Sequence, residues 1–241
     1  MKSLKDGIGY NERLFSGGIR SYLHLARFKW LKTEVTRRNC KVDFVLELGC
    51  FDGKLIDFFP IKPLRYIGFD ANWEGGLDIA KINWANKPEY SFLKASSPEE
   101  MLLNREDIFD IAVAMETLEH VSPISIDGYL QKIAERLDGY FFITVPNEKG
   151  IVFLIRWLIK NTFSKDTENY TFRELLYSTF GNMKLVDRRE HKGFDYKELM
   201  KNIEIYFDII NVVGFPFGFL PKSFCFGIGI IAKSKRSSRA T

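Results

Sequence analysis

The apolar residues of this chain gather in short, nearly continuous runs that alternate with helical patterns. The runs predict five β-strands, at 42–48, 65–70, 90–94, 109–115 and 139–145. Helical patterns lie between them at 75–84, 98–103 and 125–137. Strands that are apolar on both faces suit a parallel sheet covered by helices on both sides. Their alternation, at intervals of about 20 to 30 residues, predicts β-α-β crossovers and an open parallel sheet.

The alternation stops at Pro146 and resumes near residue 193. Two helical patterns lie between these points, at 151–160 and 172–180. We interpret residues 147–192 as a helical lid inserted after the fifth strand. A further helix is then predicted, with Asp195 as its N-cap and Glu198 reaching back to it. Two last strands are predicted at 207–213 and 224–232, and the spacing over 10–36 predicts one or two N-terminal helices.

Composition is that of an ordinary globular protein, with 46% hydrophobic residues, 27% charged residues and a net charge of +4. Residues 233–239 carry four positive charges and no acid. A short basic tail is usually a solvated terminus, and a weak attraction to phosphates or anionic lipid is the alternative.

The three cysteines form no C-x-x-C pair, which argues against a zinc knuckle, and we expect no metal. Scattered thiols fit a reducing compartment. The N-terminus has no apolar leader, and no apolar run reaches the roughly 20 residues of a membrane span. These features predict a cytoplasmic protein.

A glycine-bearing turn follows the first predicted strand, in the sequence Glu47-Leu-Gly-Cys-Phe-Asp-Gly53. Gly49 suits a sharp turn and lets a ligand approach the backbone, and Gly53 lies where a helix would begin. In an open α/β sheet, ligands bind at the carboxyl ends of the strands. Glu47 lies at that end and would accept a hydrogen bond from a ligand.

The spacing of these residues differs from the G-x-G-x-x-G of dinucleotide-binding proteins. An acid two residues before G-x-x-x-G does not suit a phosphate but suits the amino group of a methionine moiety. Asp70 ends the second predicted strand, 23 residues after Glu47. A carboxylate there would bind both hydroxyls of an adenosine ribose.

These segments resemble the motifs of class I methyltransferases, which use S-adenosylmethionine. The stretch 45–53 looks like their first motif, and 68–70 resembles their second-strand acidic motif. Met115-Glu-Thr-Leu-Glu-His-Val121 and 145–147 resemble the subgroup that includes ubiquinone-biosynthesis O-methyltransferases and many type 11/12 methyltransferases. The resemblance covers about residues 42–147. It implies a Rossmann-like, doubly wound sheet of seven mostly parallel strands, the last one antiparallel.

The resemblance also implies a role for individual residues. The cofactor would contact Glu47, Gly49, Cys50, Gly53, Asp70, Ala71, Asn72, Ser96, Met115 and Glu116. Ser96 stands where many relatives have an acid that meets the adenine. Glu116 and His120 would face the reaction site. The alternatives are a solvated strand end for Glu47, a helix cap for Asp70, helix N-terminal acids for Glu116 and Glu119, and a structural histidine for His120.

With these roles, the chain divides into one methyltransferase domain of five segments. They are an N-terminal helical cap (1–41), a cofactor-binding core (42–146), the lid (147–192), a final helix with two strands (193–233) and a basic tail (234–241).

A methyltransferase must hold a nucleophile in line with the methyl group and exclude water. An oxygen acceptor usually loses a proton, and His120 is our first candidate for the base, with His191 second. The chain lacks the sequence N/D-P-P-Y/F and a Pro-Cys nucleophile, so we expect no DNA substrate. A small-molecule, sugar or lipid-like acceptor is favoured. The apolar stretch 151–159 is either a packed helix or a wall for an apolar acceptor or a membrane surface.

Other functions remain open. The missing dinucleotide motif disfavours a dehydrogenase. A non-catalytic cofactor-binding partner module and an RNA methyltransferase are the alternatives to a small-molecule methyltransferase.

Overall fold

The computed structural model describes residues 19–163, 170–188, 192–216 and 218–235. The α-helices in these ranges are α1 (Ile19–Arg37), α2 (Gly76–Asn83), α3 (Pro123–Arg136), α4 (Ile151–Phe163), α5 (Phe172–Phe180) and α6 (Tyr196–Tyr206). The strands are β1 (Phe44–Leu48), β2 (Arg65–Asp70), β3 (Tyr90–Lys94), β4 (Phe109–Met115), β5 (Leu137–Pro146), β6 (Phe207–Phe215) and β7 (Gly227–Ser234). Short 3-10 helices lie at Lys54–Phe58, Met183–Leu185 and Lys222–Phe224.

The strands form one sheet in the order β3-β2-β1-β4-β5-β7-β6. Strands β1 to β5 pair in parallel, and β7 runs antiparallel to both β5 and β6. The predicted fold class is therefore confirmed. Because the strand order reverses between β1 and β4, their carboxyl ends flank the switch point at which open α/β sheets bind ligands.

Two apolar layers cover the sheet, which explains why its central strands read as continuous apolar runs. Leu46 and Leu48 of β1 join the layer that contains α3 and α6, whereas Val45 joins the layer that contains α1 and α2. Glu47 shares the strand face of Val45, since side chains alternate along a strand. A carboxylate is thus placed at the edge of a buried layer.

The predicted helix over 98–103 is wrong. Residues 98–100 form a turn, and the chain from 101 to 104 is irregular. The Glu100 carboxylate accepts a hydrogen bond from the Ser96 backbone N–H (2.7 Å), and the carbonyl of buried Met101 accepts one from Lys132 Nζ (3.1 Å). The Met101 carbonyl is thus satisfied by a side chain of α3 and not within its own segment.

Smaller corrections concern element ends. The helix predicted after Gly53 is a 3-10 helix, and the last strand begins at Gly227 because Lys222–Phe224 is also 3-10. Asp195 caps α6 by accepting from the Lys197 N–H (2.9 Å), but Glu198 accepts from Lys201 instead of reaching back. The N-terminal pattern forms a single helix from residue 19, and positions 10–18 lie outside the described residues.

The segment after β5 contains α4 and α5, and ion pairs join its charged residues to each other and to the start of α6. Glu148 pairs with Arg156, Lys149 pairs with Asp195, and Glu174 pairs with Lys192 (2.7 Å). None of the described helices combines the length and the apolar character that a membrane span requires.

Candidate active site

The loop after β1 turns sharply at Gly49 and Gly53, whose φ angles are +79° and +71°. The Gly49 and Cys50 N–H groups both donate to the Phe69 carbonyl, at 2.7 and 3.1 Å, which fastens the loop to β2. A Cβ at Gly49 would lie 2.1 Å from Thr117 Oγ1. Thr117, in the loop after β4, therefore fills the space beside Gly49. The sequence had suggested that a ligand would approach the backbone at this position.

The carboxylate of Glu47 is buried, with only 3% of the residue exposed, so it is not a solvated strand end. Its partner is the Tyr66 hydroxyl, which donates a hydrogen bond to it. Burial raises the pKa of Glu47 to about 8, although the hydrogen bond from Tyr66 opposes the rise. The positive charge of Arg27, in α1, also lowers this pKa. A buried carboxylate in this position suits a cationic ligand group, because a cation would replace the lost hydration.

Asp70 is held in a fixed orientation at the end of β2. Its Oδ2 accepts from the Phe51 N–H (3.0 Å) and its Oδ1 from the Asn72 N–H (2.6 Å). It orders the loop after β1 and does not cap a helix. Each carboxylate oxygen can accept a second hydrogen bond, so both remain competent to bind a diol.

The residues after Asp70 are also ordered by backbone contacts. Asn72 has a left-handed φ of +59°, and its Oδ1 accepts from the Leu77 N–H (3.1 Å) at the start of α2. Ala71 and Asn72 are half-buried beside Asp70, whereas Ser96, after β3, is exposed.

At the end of β4, Met115 is buried and Glu116 takes a left-handed φ of +52°. The Glu116 N–H donates to the Thr144 carbonyl of β5 (2.9 Å). Non-glycine residues in this region are strained and cluster at functional sites. The half-buried Glu116 therefore joins Glu47 and Asp70 at the same edge of the sheet.

The two histidines proposed as bases differ in what the structure describes. His120 is exposed, and its backbone N–H donates to the Thr117 carbonyl (3.0 Å). His191 lies outside the described residues. Within the described ranges, no three His, Cys, Asp or Glu side chains are grouped as metal ligands.

Sequence reasoning did not identify the most buried charged residue of this edge as a site residue. Glu119 is 1% exposed, and neither carboxyl oxygen has a hydrogen-bond partner among the described residues. Burial raises its pKa well above the usual range and the carboxylates of Glu116 and Glu148 add to the rise, whereas the nearby backbone N–H of Glu119 itself and the charge of Arg27 oppose it. Arg188 Nη2 donates to the Glu119 backbone carbonyl (2.9 Å). The sequence contained no signal for this contact, since the two residues are 69 positions apart.

Comparison with known proteins matches this chain to one family. The family model described as "Methyltransferase domain" matches residues 23–189. The ubiquinone biosynthesis O-methyltransferase of Bartonella tribocorum is 28% identical over 129 residues, which cover 49% of this chain and 51% of that protein. The protein of the same name from Bartonella bacilliformis is 27% identical over 156 residues, covering 59% and 60%. The chain thus spans between half and three fifths of these curated relatives.

Solved structures share the whole fold. An S-adenosylmethionine-dependent methyltransferase from Clostridium acetobutylicum has a TM-score of 0.65 and 13% identity, covering 93% of this chain and 98% of that one. The methyltransferase domain of a bacterial Hen1, CtHen1, has a TM-score of 0.56 and 15% identity, covering 88% and 99%.

The chain therefore belongs to the methyltransferase-domain family, whose methyl donor is S-adenosylmethionine. This confirms the resemblance inferred from the motifs, the predicted class of enzyme and its cofactor. The roles of the individual residues stay predictions.

Proposed function

We propose that the protein transfers the methyl group of S-adenosylmethionine to an oxygen atom of a small-molecule, sugar or lipid-like acceptor. The observation that carries the proposal is the pair of ordered carboxylates, Glu47 and Asp70, at the carboxyl ends of the neighbouring strands β1 and β2, beside the switch point. The first would bind the cofactor's ammonium group and the second its ribose hydroxyls.

The rest of the cofactor site follows from this placement. Arg27 adds a cation beside Glu47, and its Nε is buried without a hydrogen-bond partner among the described residues. That nitrogen would donate to the cofactor's carboxylate. The loop Gly49, Cys50 and Gly53 would lie along the amino-acid end. Ala71, Asn72, Ser96, Met115 and Glu116 complete the predicted contacts.

S-adenosylmethionine supplies a methyl group that its sulfonium already activates as an electrophile. The protein's part is to hold the acceptor oxygen in line and to exclude water. His120 would take the acceptor's proton and, being exposed, would release it to solvent. Glu116 and His191 are the other predicted contributors.

The names of the relatives favour oxygen as the methylated atom and an apolar, lipid-like acceptor. An RNA acceptor and a non-catalytic cofactor-binding partner module are the alternatives. Loss of methylation after nuclease treatment of a metabolite extract would favour RNA. Absence of cofactor turnover in any extract would favour the non-catalytic module.

Calorimetric titration tests the proposal directly. We expect S-adenosylmethionine and S-adenosylhomocysteine to bind with micromolar dissociation constants and NAD not to bind, because the loop after β1 presents an acid and lacks the dinucleotide motif. Protein that is folded and free of co-purified cofactor, yet binds neither sulfur compound, would contradict the proposal.

A peripheral contact with an anionic lipid surface is a second proposal, and it rests on exposed apolar side chains. Ile151, Ile155 and Leu158 of α4 are about half exposed and lie on one helical face, at spacings of four and three residues. The 3-10 helix Lys222–Phe224 contacts α4 and carries exposed Lys222 and Phe224, and exposed Phe219 precedes it in sequence. Apolar side chains beside a cation suit an anionic membrane interface.

We expect the protein to float with vesicles containing phosphatidylglycerol at low salt, and not with purely zwitterionic vesicles. Ile155→Asp should abolish flotation, because it places a like charge in the interface. The matched control is Ile79→Asp on α2, which is also exposed but lies away from this surface. Equal flotation of the two variants would remove the proposal.

A further inference from the structure

Glu119 is a buried carboxyl group to which the proposed function assigns no role. It lies just beyond β4, between half-buried Glu116 and exposed His120 in the chain, and both of its oxygens lack a partner among the described residues. Native proteins rarely leave a buried polar group unpaired, because its lost hydration costs about 1–3 kcal/mol or more. An orphaned carboxylate at the ligand edge of the sheet indicates that a ligand supplies the missing partner.

Arg188 presents a second orphaned group next to the first. Its Nη2 donates to the Glu119 backbone carbonyl, and its guanidinium lies 4.8 Å from the ring centroid of buried Phe194. These two contacts fix the guanidinium, but its buried Nη1 has no partner among the described residues. Although the negative charge of Glu119 raises the pKa of Arg188 against the effect of burial, no hydrogen bond joins the two charged ends.

A carboxylate can only accept hydrogen bonds, and a guanidinium can only donate them. A hydroxyl group does both with one oxygen atom, so it satisfies both orphans. The loop after β4, which carries Glu119, lies against the proposed cofactor loop, since a Cβ at Gly49 would be 2.1 Å from Thr117 Oγ1. The charge of Arg27 also acts on both Glu47 and Glu119. The pair therefore lies near the amino-acid end of the proposed cofactor site, where an acceptor must approach the methyl group.

We propose that Glu119 and Arg188 hold the methyl-accepting hydroxyl, with Glu119 accepting its proton and Arg188 Nη1 donating to its oxygen. The inference rests on the proposed function and deepens it. In the transfer step the oxygen–hydrogen bond breaks and Glu119, in place of His120, takes the proton. The oxygen's electron pair forms the bond to the methyl carbon, and the electrons of the carbon–sulfur bond return to sulfur.

The acidity of the hydroxyl decides which acceptors suit this pair. A phenol ionises near the value of about 10 that tyrosine shows, whereas water has a pKa of about 15.7. The guanidinium stabilises the charge that develops on the oxygen. A carboxylate assisted by an arginine therefore takes a proton more readily from a phenolic hydroxyl than from an alkyl alcohol, because the phenol is the stronger acid.

The test uses two small probes, 4-butylphenol and its methyl ether 4-butylanisole, with the protein saturated with S-adenosylhomocysteine. The ether carries a methyl group in place of the hydroxyl hydrogen that Glu119 would accept. We expect the phenol to bind and the ether to bind at least tenfold more weakly. Glu119→Gln and Arg188→Gln should each weaken phenol binding at least tenfold, as expected for a lost hydrogen bond to a charged group.

A pH series separates this role from a structural one. The charged groups that act on Glu119 are Glu116, Glu148, Arg27 and Arg188. Phenol binding to the wild type should strengthen as the pH rises through the raised pKa of Glu119, and this dependence should vanish in Glu119→Gln. The exposed Glu99→Gln should behave as the wild type.

S-adenosylhomocysteine affinity is measured in parallel as a control for folding and for the proposed function. If it is unchanged in Glu119→Gln, but the variant binds the phenol as the wild type does, the inference is overturned and the proposed function stands. Equal binding of phenol and ether to the wild type, or no phenol binding at all, also overturns it. A wild type that binds no S-adenosylhomocysteine overturns the proposed function itself.

Discussion

Asp70→Ala is expected to weaken S-adenosylmethionine binding about 100-fold or more. Two hydrogen bonds from ribose hydroxyls to a carboxylate would be lost, and each is worth about 1.5–3 kcal/mol. The substitution also removes the acceptor for the Phe51 and Asn72 N–H groups, so the loop after β1 loses an anchor. Calorimetry on the purified variant measures the change.

Asp70→Asn is the matched control. It keeps the shape and one acceptor oxygen, so it should lose less affinity than Asp70→Ala. Circular dichroism should show that both variants remain folded, because Asp70 is half-buried and outside the apolar layers. Wild-type affinity in folded Asp70→Ala would exclude this carboxylate from the cofactor site.

Cofactor binding is also expected to depend on pH through Glu47. The pKa of this group is about 8 in the free protein, against 4.5 for an ordinary glutamate, because it is buried. Binding a cationic ammonium group requires the ionised carboxylate, so binding near pH 7 should release a proton. Affinity should therefore rise as the pH increases toward 8. Titrations in buffers of different ionisation enthalpy count the released proton.

The same group should affect stability with a defined sign. Because the folded protein binds this proton more tightly than the unfolded chain, Glu47 contributes stability that is complete below pH 4.5 and is lost as the pH rises through about 8. In the cofactor-free protein, Glu47→Gln should remove this contribution from the pH dependence of the unfolding free energy.

Tyr66→Phe provides a second test of the role of Glu47, because it should change the pKa of this group without removing the carboxylate. The Tyr66 hydroxyl stabilises the ionised carboxylate, so its removal should raise the pKa further and shift the pH profile of cofactor binding upward. If Glu47→Gln kept the wild-type proton release, another group would have to account for it.

The strand bounds show which features of the fold the local sequence pattern predicts. The bounds of β2, β3 and β4 are those predicted, because each is a short run rich in apolar residues that pairs along its length with a neighbouring strand. The predicted helix over 98–103 does not form: the Glu100 carboxylate accepts from the Ser96 N–H, four residues earlier, and the Met101 carbonyl accepts from Lys132 of α3. The local pattern of residues 98–103 carries no information about this contact with α3.

Some features of the candidate site are likewise predictable from the sequence, and others are not. The residue types and spacing of Glu47, Gly49 and Asp70 are enough to predict a class of cofactor, because the carboxyl ends of adjacent parallel strands always share one edge. The burial and the pKa values of these residues are not predictable from the sequence. Glu47 owes its raised pKa to burial that several elements create together, and its partner Tyr66 comes from the neighbouring strand.

His120 and Glu119 show most clearly the difference between what the sequence predicts and what the tertiary structure decides. They are neighbours in one motif, and the sequence favoured the histidine because its ordinary pKa suits a base. The structure leaves His120 exposed and buries Glu119 beside Arg188, which comes from a segment 69 residues away. By itself the sequence determined the strands, the edge and the class of cofactor, since these follow from periodicity and short-range spacing. Only the tertiary structure decided which charges are buried, because burial depends on elements that are distant in the chain.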